Sequence, residues 1–143
     1  MKKIIRKEKI ENKLKLIADS VEIVKENLPS SFEEFKVMGL KKDGIYKRIE
    51  DIIQNIIDIC NIINSDFALG MISEEISSID NLVKNKIIPM KFGEIIKEMK
   101  SFRNILVHEY GEIDDAIAFE NIKNWLKHFT EFIEIITKIL KKY

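Results

Sequence analysis

The chain is poor in the residues that form turns and cross-links. Its 143 residues include 5 glycines, 2 prolines and a single cysteine, Cys60. One cysteine cannot close a disulfide within the chain, so we expect a reducing compartment. Because Cys60 falls within an apolar helical pattern, buried packing is favoured over a role as nucleophile.

An excess of charge and long apolar runs are missing as well. Lys and Arg number 24, and Asp and Glu number 24, so the global charge does not indicate nucleic acid, and any polyanion binding must be local. No apolar run approaches the ~20 residues that span a bilayer. The first residues are too charged for a signal peptide. We expect a cytoplasmic protein without membrane contact.

What the chain does contain is material for amphipathic helices. Hydrophobic residues make up 45% and charged residues 34%, which suits long helices with charged outer faces. The length fits one domain, residues 1–143, with a core that needs neither a disulfide nor a structural metal.

Apolar side chains recur with the helical period along nearly the whole chain. From Ile10 to Leu28 they are spaced alternately four and three residues apart, which predicts a first helix that Pro29 ends. Ser30 or Ser31 can cap a short second helix, and Gly39 is expected to close it. The predicted helices cover about 4–27, 32–38, 45–65, 74–86, 89–107 and 115–140, the last capped by Asp114 or Asp115. The fold class is therefore all-α, an antiparallel bundle of about four main helices plus short ones.

Two features of the bundle have more than one interpretation. The first helix is basic at its start, which fits a solvated face or, less simply, a groove for phosphates. The last helix carries a second apolar stripe, consisting of Phe119, Trp125, Phe132 and Ile139, beside its main one. That wide face fits either a deeply buried helix or packing against a second copy of the chain.

A cluster of polar side chains lies at the end of the fifth predicted helix. Arg103, Asn104, His108 and Tyr110 follow a strongly apolar segment, and Gly111 is expected to stop the helix. Alone, such an arginine commonly balances the helix dipole or pairs with a carboxylate such as Glu98, and a histidine at a helix end is usually structural. All four together indicate a functional site. Two separated histidines and one distant cysteine do not give the ligand spacing of a zinc site.

The string R-x4-H-x-Y, with asparagine directly after the arginine, resembles the HepT family of HEPN-domain proteins. Those are all-helical, dimeric toxin ribonucleases encoded beside an MNT-type nucleotidyltransferase antitoxin. The resemblance implies a homodimer with RNA as substrate, no metal or other cofactor, and an MNT-type nucleotidyltransferase as partner. It assigns catalysis to Arg103, Asn104 and His108, and AMP transfer from the antitoxin to Tyr110. Tyr110 can alternatively pack over the bundle end through its ring.

These residue types suit RNA cleavage by the RNA's own 2′-hydroxyl. Histidine titrates near neutral pH and can serve as base or acid, while a guanidinium matches the oxygens of a phosphate on which charge accumulates. Asn104 can hold the phosphate or orient the histidine. The products would carry 2′,3′-cyclic phosphate and 5′-hydroxyl ends.

The five-residue spacing between Arg103 and His108 raises a geometric problem. On a regular helix these residues lie about 140° apart around the axis. Either the helix unwinds near Gly111 so that His108 turns back, or a second copy supplies the missing half, which is what the resemblance implies. An alternative function is a non-catalytic HEPN module that binds nucleotides or a nucleotidyltransferase partner, and another is a plain helical scaffold.

Overall fold

A computed structural model describes residues 5–108 and 113–143. In those residues the chain forms helices and no strand. Their bounds are α1 Lys7–Asn27, α2 Phe32–Lys36, α3 Leu40–Asp66, α4 Ser78–Lys84, α5 Met90–His108 and α6 Asp115–Leu140. The predicted all-α bundle of four main helices with short ones between them is confirmed.

The isoleucine-rich helix α3 forms the centre of the bundle. It packs against α1, α4, α5 and α6, so its apolar side chains must cover more than one face. Ile52, Ile53 and Ile56, which point in different directions around the axis, are all completely buried. Although β-branched residues slightly disfavour a helix, burial on several sides outweighs this preference, because each isoleucine removed from water contributes ~1.5–3 kcal/mol.

Side chains at the helix starts fix where the helices begin. The Ser31 hydroxyl accepts a hydrogen bond from the backbone N–H of Glu34 at 3.3 Å, as predicted for α2. The Asp114 carboxylate accepts from two backbone N–H groups in the first turn of α6, as predicted for the last helix. Ser77 and Asp80 form a reciprocal capping box at α4. The box explains why α4 begins at Ser78 and not near residue 74.

The boundary between α2 and α3 was also wrongly predicted. Gly39 does not close α2, which ends at Lys36; it adopts φ +60° at the N-cap of α3. Helix α3 then begins at Leu40, five residues before the predicted start. Leu40 is 86% exposed, so the first turn of α3 buries little apolar surface. A helical period of apolar residues arises only where one side of the helix is buried, so a solvent-exposed first turn cannot be predicted from it.

The wide apolar face of α6 is covered by the chain itself. Phe119, Trp125 and Phe132 are each at most 4% exposed. Trp125 meets Phe102 of α5 edge-on at 5.4 Å between ring centroids, and Phe132 stacks on Phe92 at 6.4 Å. For these three residues the deeply buried helix was the correct interpretation, whereas Ile139, the fourth residue of the stripe, is only partly buried. The aromatic pairs also show that α5 and α6 run antiparallel.

The basic start of α1 is partly used within the fold. The Arg6 guanidinium donates to both carboxylate oxygens of Asp66 at the end of α3, at 2.9–3.2 Å. Burial raises the pKa of Asp66, but the Arg6 hydrogen bonds and charge outweigh it and leave that pKa below its ordinary value. Lys13 pairs with Asp58 at 3.3 Å. These two cations therefore join α1 to α3.

Cys60 is completely buried in α3, as predicted. Burial raises the pKa of its thiol to about 12, because a thiolate in an apolar surrounding has lost its hydration. Across residues 5–108 and 113–143, no helix has an apolar stretch of the length needed to cross a membrane.

Candidate functional site

The last two turns of α5 carry the candidate side chains. The buried stripe of α5 continues through Met99, Phe102 and Leu106, and it holds this end of the helix against α3 and α6. Phe102 lies between the rings of Trp125 and Tyr46, at 5.4 and 6.4 Å. The polar residues on either side of this stripe are thus presented from a well-packed helix end.

Arg103 occupies the edge of the buried stripe and is partly buried. Its Nε atom is inaccessible to solvent and finds no hydrogen-bond acceptor. The predicted alternative, an ion pair with Glu98, does not occur among the ion pairs of the described residues. A buried N–H without an acceptor costs ~1–3 kcal/mol. Because Nε is inaccessible from outside and the residue is only partly buried, an anion from outside the chain can meet only the more exposed part of the guanidinium.

Asn104 and His108 occupy another side of the same helix. Both are exposed, and because they are four residues apart they are neighbours on one stripe of α5. Helix α5 is α-helical through His108, and the predicted unwinding near Gly111 falls outside the described residues. Arg103 and His108 therefore stand about 140° apart around the axis and ~7.5 Å apart along it. One chain brings Asn104 and His108 together but keeps Arg103 apart from them.

Tyr110 and Gly111 lie outside the described residues. The predicted AMP-acceptor role of Tyr110 and the predicted helix stop at Gly111 therefore have no structural description. Tyr110 follows His108, the last residue of α5, by two positions in the sequence.

A polar brace that sequence reasoning missed holds α6 beside this end of α5. The Tyr46 hydroxyl donates to Asp115 Oδ1 at 2.5 Å, and Lys42 Nζ donates to Asp115 Oδ2 at 2.9 Å. Burial raises the pKa of Asp115, but the two hydrogen bonds and the Lys42 charge lower it by more, so the net pKa is below its ordinary value. The sequence signalled an acidic residue in the first turn of a helix, but its partners lie some seventy residues earlier.

His128, the second histidine of the chain, packs within the bundle. Its ring meets Phe92 edge-on at 6.0 Å between centroids, and Nδ1 lies 3.7 Å from a carboxylate oxygen of Glu131. Within the described ranges, no group of three or more His, Cys, Asp and Glu side chains is arranged to hold a metal ion.

Known proteins resemble this chain in both sequence and fold. An mRNA nuclease HepT from Shewanella oneidensis is 29% identical over 103 residues, which cover 72% of this chain and 77% of that protein. A solved structure, the tri-AMPylated Shewanella oneidensis HEPN toxin in complex with MNT antitoxin, superposes with a TM-score of 0.81 at 26% identity. It covers 90% of this chain and 96% of its own.

A second solved structure shares the fold over nearly the whole chain. YutE from Bacillus subtilis, a cytosolic protein of unknown function, matches with a TM-score of 0.85 at 18% identity, covering 99% of this chain and 94% of its own. The family model described as Ribonuclease HepT-like matches residues 17–136, a span that contains Arg103, Asn104, His108 and Tyr110. The chain belongs to the HepT-like ribonuclease family.

Proposed function

We propose that this protein is a metal-independent endoribonuclease and the toxin of a HEPN/MNT-type toxin–antitoxin pair. Its active site would combine Arg103 of one copy with Asn104 and His108 of another. Membership of the HepT-like ribonuclease family supports the reaction class. A relative described as an mRNA nuclease and another described as a HEPN toxin in complex with MNT antitoxin support the substrate and the partner.

The observation that carries the composite site is the division of the motif between two sides of one regular helix. A phosphate held by Arg103 cannot meet His108 of the same α5, since the two residues lie about 140° apart around the axis. A twofold axis beside the end of α5 would place the histidine of each copy opposite the arginine of the other, because a C2 interface pairs each patch with its counterpart.

Exposed apolar side chains surround this end of the helix. Ile105 and Val107 of α5 and Ile117 of α6 are 37%, 45% and 61% exposed. Ile105 and Val107 are two residues apart and face nearly opposite sides of α5. An exposed apolar side chain beside a polar site is typical of a surface that another protein covers. A second copy that packs on one of these sides would bury its apolar side chain and exclude water from the cleft between the two motifs.

The reaction needs a base, an acid and a stabilised phosphate, and these residues can supply all three. His108 takes the proton of the 2′-hydroxyl, whose oxygen then attacks the adjacent phosphorus and displaces the 5′-oxygen of the next nucleotide. That leaving oxygen receives a proton, which the protonated His108 returns or the solvent supplies. Arg103 donates from the exposed part of its guanidinium to the phosphoryl oxygens as their charge increases. Asn104, next to His108 on the helix, can hold the phosphate or orient the ring.

Mixing two inactive variants tests whether the site is shared. Arg103→Ala and His108→Ala should each reduce the cleavage rate by about 10²–10⁴-fold. If the site combines residues of two copies, unfolding and refolding the variants together should restore about a quarter of the wild-type activity, because half of the pairs are mixed and each mixed pair keeps one of two sites. No recovery, with mixed pairs verified by mass spectrometry, would contradict the shared site.

Cleavage in EDTA tests metal independence. Wild-type protein should cleave RNA at an unchanged rate in the chelator and leave 2′,3′-cyclic phosphate ends. Dependence on an added divalent ion, or 3′-hydroxyl ends, would exclude the mechanism. RNA or nucleotide binding that needs Arg103 but leads to no cleavage would favour the alternative of a non-catalytic HEPN module.

Inhibition by AMP transfer to Tyr110 is supported by the family membership and by the position of Tyr110 two residues after His108 in the motif. Each AMP unit brings a negatively charged phosphate, which would occupy the guanidinium of Arg103 and repel RNA. The tri-AMPylated state of the Shewanella toxin supports this regulation. Incubation with the partner nucleotidyltransferase and ATP should add AMP units to the wild-type protein and stop cleavage. Tyr110→Phe should stay unmodified and active, and modification of that variant elsewhere would refute the assignment.

A further inference from the structure

A basic, aromatic cleft lies at the end of the bundle opposite Arg103 and His108. It forms where the C-terminus of α6 meets the connections after α3 and α4, and it encloses about 490 Å³. Lys138 of α6 is 23 residues from the start of that helix, which places the cleft ~35 Å from the end that carries the candidate site. The sequence analysis gave these residues no role.

Three lysines make the cleft basic, and a pair of aromatic rings lies among them. Lys86, Lys138 and Lys142 line it together with Phe67 and Tyr143. The two rings contact each other at 5.2 Å between centroids, and Tyr143 is 55% exposed. Among the described residues no Asp or Glu side chain lines the cleft, and none of the three lysines belongs to an ion pair there.

Lys86 occupies a backbone position that disfavours it. Its φ is +58°, and the N–H groups of Lys86 and Ile87 donate to Val83 and Leu82 at the end of α4. This is a Schellman arrangement, in which glycine is the usual residue because a side chain in the left-handed region costs ~1–2 kcal/mol. Ala68 occupies the equivalent position after α3, with φ +50°.

We propose that this cleft is a second binding surface for single-stranded RNA, with phosphates on Lys86, Lys138 and Lys142 and a base stacked on Tyr143. Cationic side chains beside an accessible ring are what a single strand requires, because every base has a face to stack and every linkage a charge. A membrane surface fits less well, since the apolar residues of the cleft are recessed and half-buried. The proposal rests on RNA being the substrate, and it adds an anchor far from the cleavage site.

Salt dependence of binding to an RNA that cannot be cleaved tests the cleft apart from the nuclease. A fluorescent 2′-O-methyl oligonucleotide is suitable because it has no free 2′-hydroxyl to attack. A length of about 16 nucleotides matches the largest sites that single-strand binding domains cover. The variant K86G/K138A/K142A should bind about 100-fold more weakly at 0.1 M salt, and its slope of log K against log salt should be shallower by about 2, since each phosphate contact contributes ~0.7. Tyr143→Ala should weaken binding by about 5- to 150-fold.

A matched control removes the same charge elsewhere. K15A/K41A/K127A also deletes three exposed lysines, none of which lines the cleft. It should bind RNA within about twofold of wild type with nearly the same salt slope, if the cleft is the site. Equal losses in the two triple variants would overturn the proposal in favour of non-specific attraction by charge.

The variant Lys86→Gly tests whether a loss of RNA binding can be distinguished from a loss of folding stability. Releasing the left-handed strain should raise the melting temperature by about 3 °C, while RNA binding falls. Ala68→Gly should raise it similarly and leave RNA binding unchanged. A variant that is more stable but binds less cannot be explained by unfolding. Unaltered binding in Lys86→Gly together with unaltered binding in Lys138→Ala would exclude the cleft.

Two further measurements identify the ligand and separate the two proposals. Cleavage of an RNA of about four nucleotides, too short to reach both ends of the bundle, should be the same in wild type and in K86G/K138A/K142A. If wild type cleaves no RNA while the cleft still binds the uncleavable strand, the nuclease proposal fails and the binding surface remains. Binding of AMP alone as tightly as RNA, or of anionic phosphatidylserine vesicles in preference to RNA, would refute the RNA assignment.

Discussion

Removal of one hydroxyl tests whether the brace between α3 and α6 holds the bundle near the candidate site. In Tyr46→Phe the ring keeps its edge-on contact with Phe35 at 5.7 Å and its contact with Phe102 at 6.4 Å. The substitution removes the hydroxyl that donates to the Asp115 carboxylate. The substitution therefore isolates a polar contribution from the aromatic packing around it.

The expected loss of stability depends on which partners the Asp115 carboxylate keeps in the variant. A hydrogen bond to a charged group contributes ~1.5–3 kcal/mol. Lys42 remains paired with Asp115, whose side chain is 31% exposed, so water can partly replace the lost donor. We expect a loss near the lower limit, about 1.5 kcal/mol of unfolding free energy at neutral pH. Urea denaturation followed by circular dichroism measures it directly.

The stability of the fold should also depend on pH through Asp115, and the direction of that dependence can be worked out. Because the folded pKa of Asp115 lies below its ordinary value, the ionised carboxylate stabilises the fold at pH values above the unfolded pKa of ~3.9. That contribution is lost as pH falls through the folded pKa. Tyr46→Phe removes one group that lowers the folded pKa, so its stability should fall less steeply with acid than that of wild type. A variant as stable as wild type at neutral pH, or with a steeper acid dependence, would refute the role of the hydroxyl.

Three further outcomes test the packing. A Cβ on Gly93 would lie 2.6 Å from a methyl of Val83, so Gly93→Ala should lower the unfolding free energy measured in urea by about 1 kcal/mol, although alanine has the better helix propensity. In a Val83→Ala background the same change should instead stabilise the protein. Equal effects in both backgrounds would contradict the clash. Cys60 should resist iodoacetamide at pH 8 until the protein unfolds, since burial raises the pKa of its thiol to about 12; rapid labelling of folded protein would show the thiol to be accessible. Ser77→Ala should lose about 1 kcal/mol in thermal or urea unfolding through its cap, and a neutral result would mean that the capping box does not stabilise α4.

Local patterns were sufficient to predict most of the helices and the identity of the motif. Apolar residues three and four apart predicted α1, α5 and α6 within a few residues, because these helices bury one continuous stripe. Ser31 and Asp114 were predictable caps, since a cap depends only on the residues that follow it. Gly39 and the first turn of α3 were mispredicted for the same reason: an exposed turn has no apolar stripe.

Contacts between distant segments were decided by the packing of the helices. Nothing local to Asp115 indicates that Tyr46 and Lys42 hold it. Nothing local to Lys86 indicates that Lys138 and Tyr143 lie beside it. The same is true of the wide face of α6, which the sequence left divided between burial and a second copy and which the fold buries against its own helices. Periodicity determines which side of a helix is apolar, but the partner of that side depends on the arrangement of all the helices together. For Arg103 and His108, the regular course of α5 keeps the two residues on different sides of the helix within one chain.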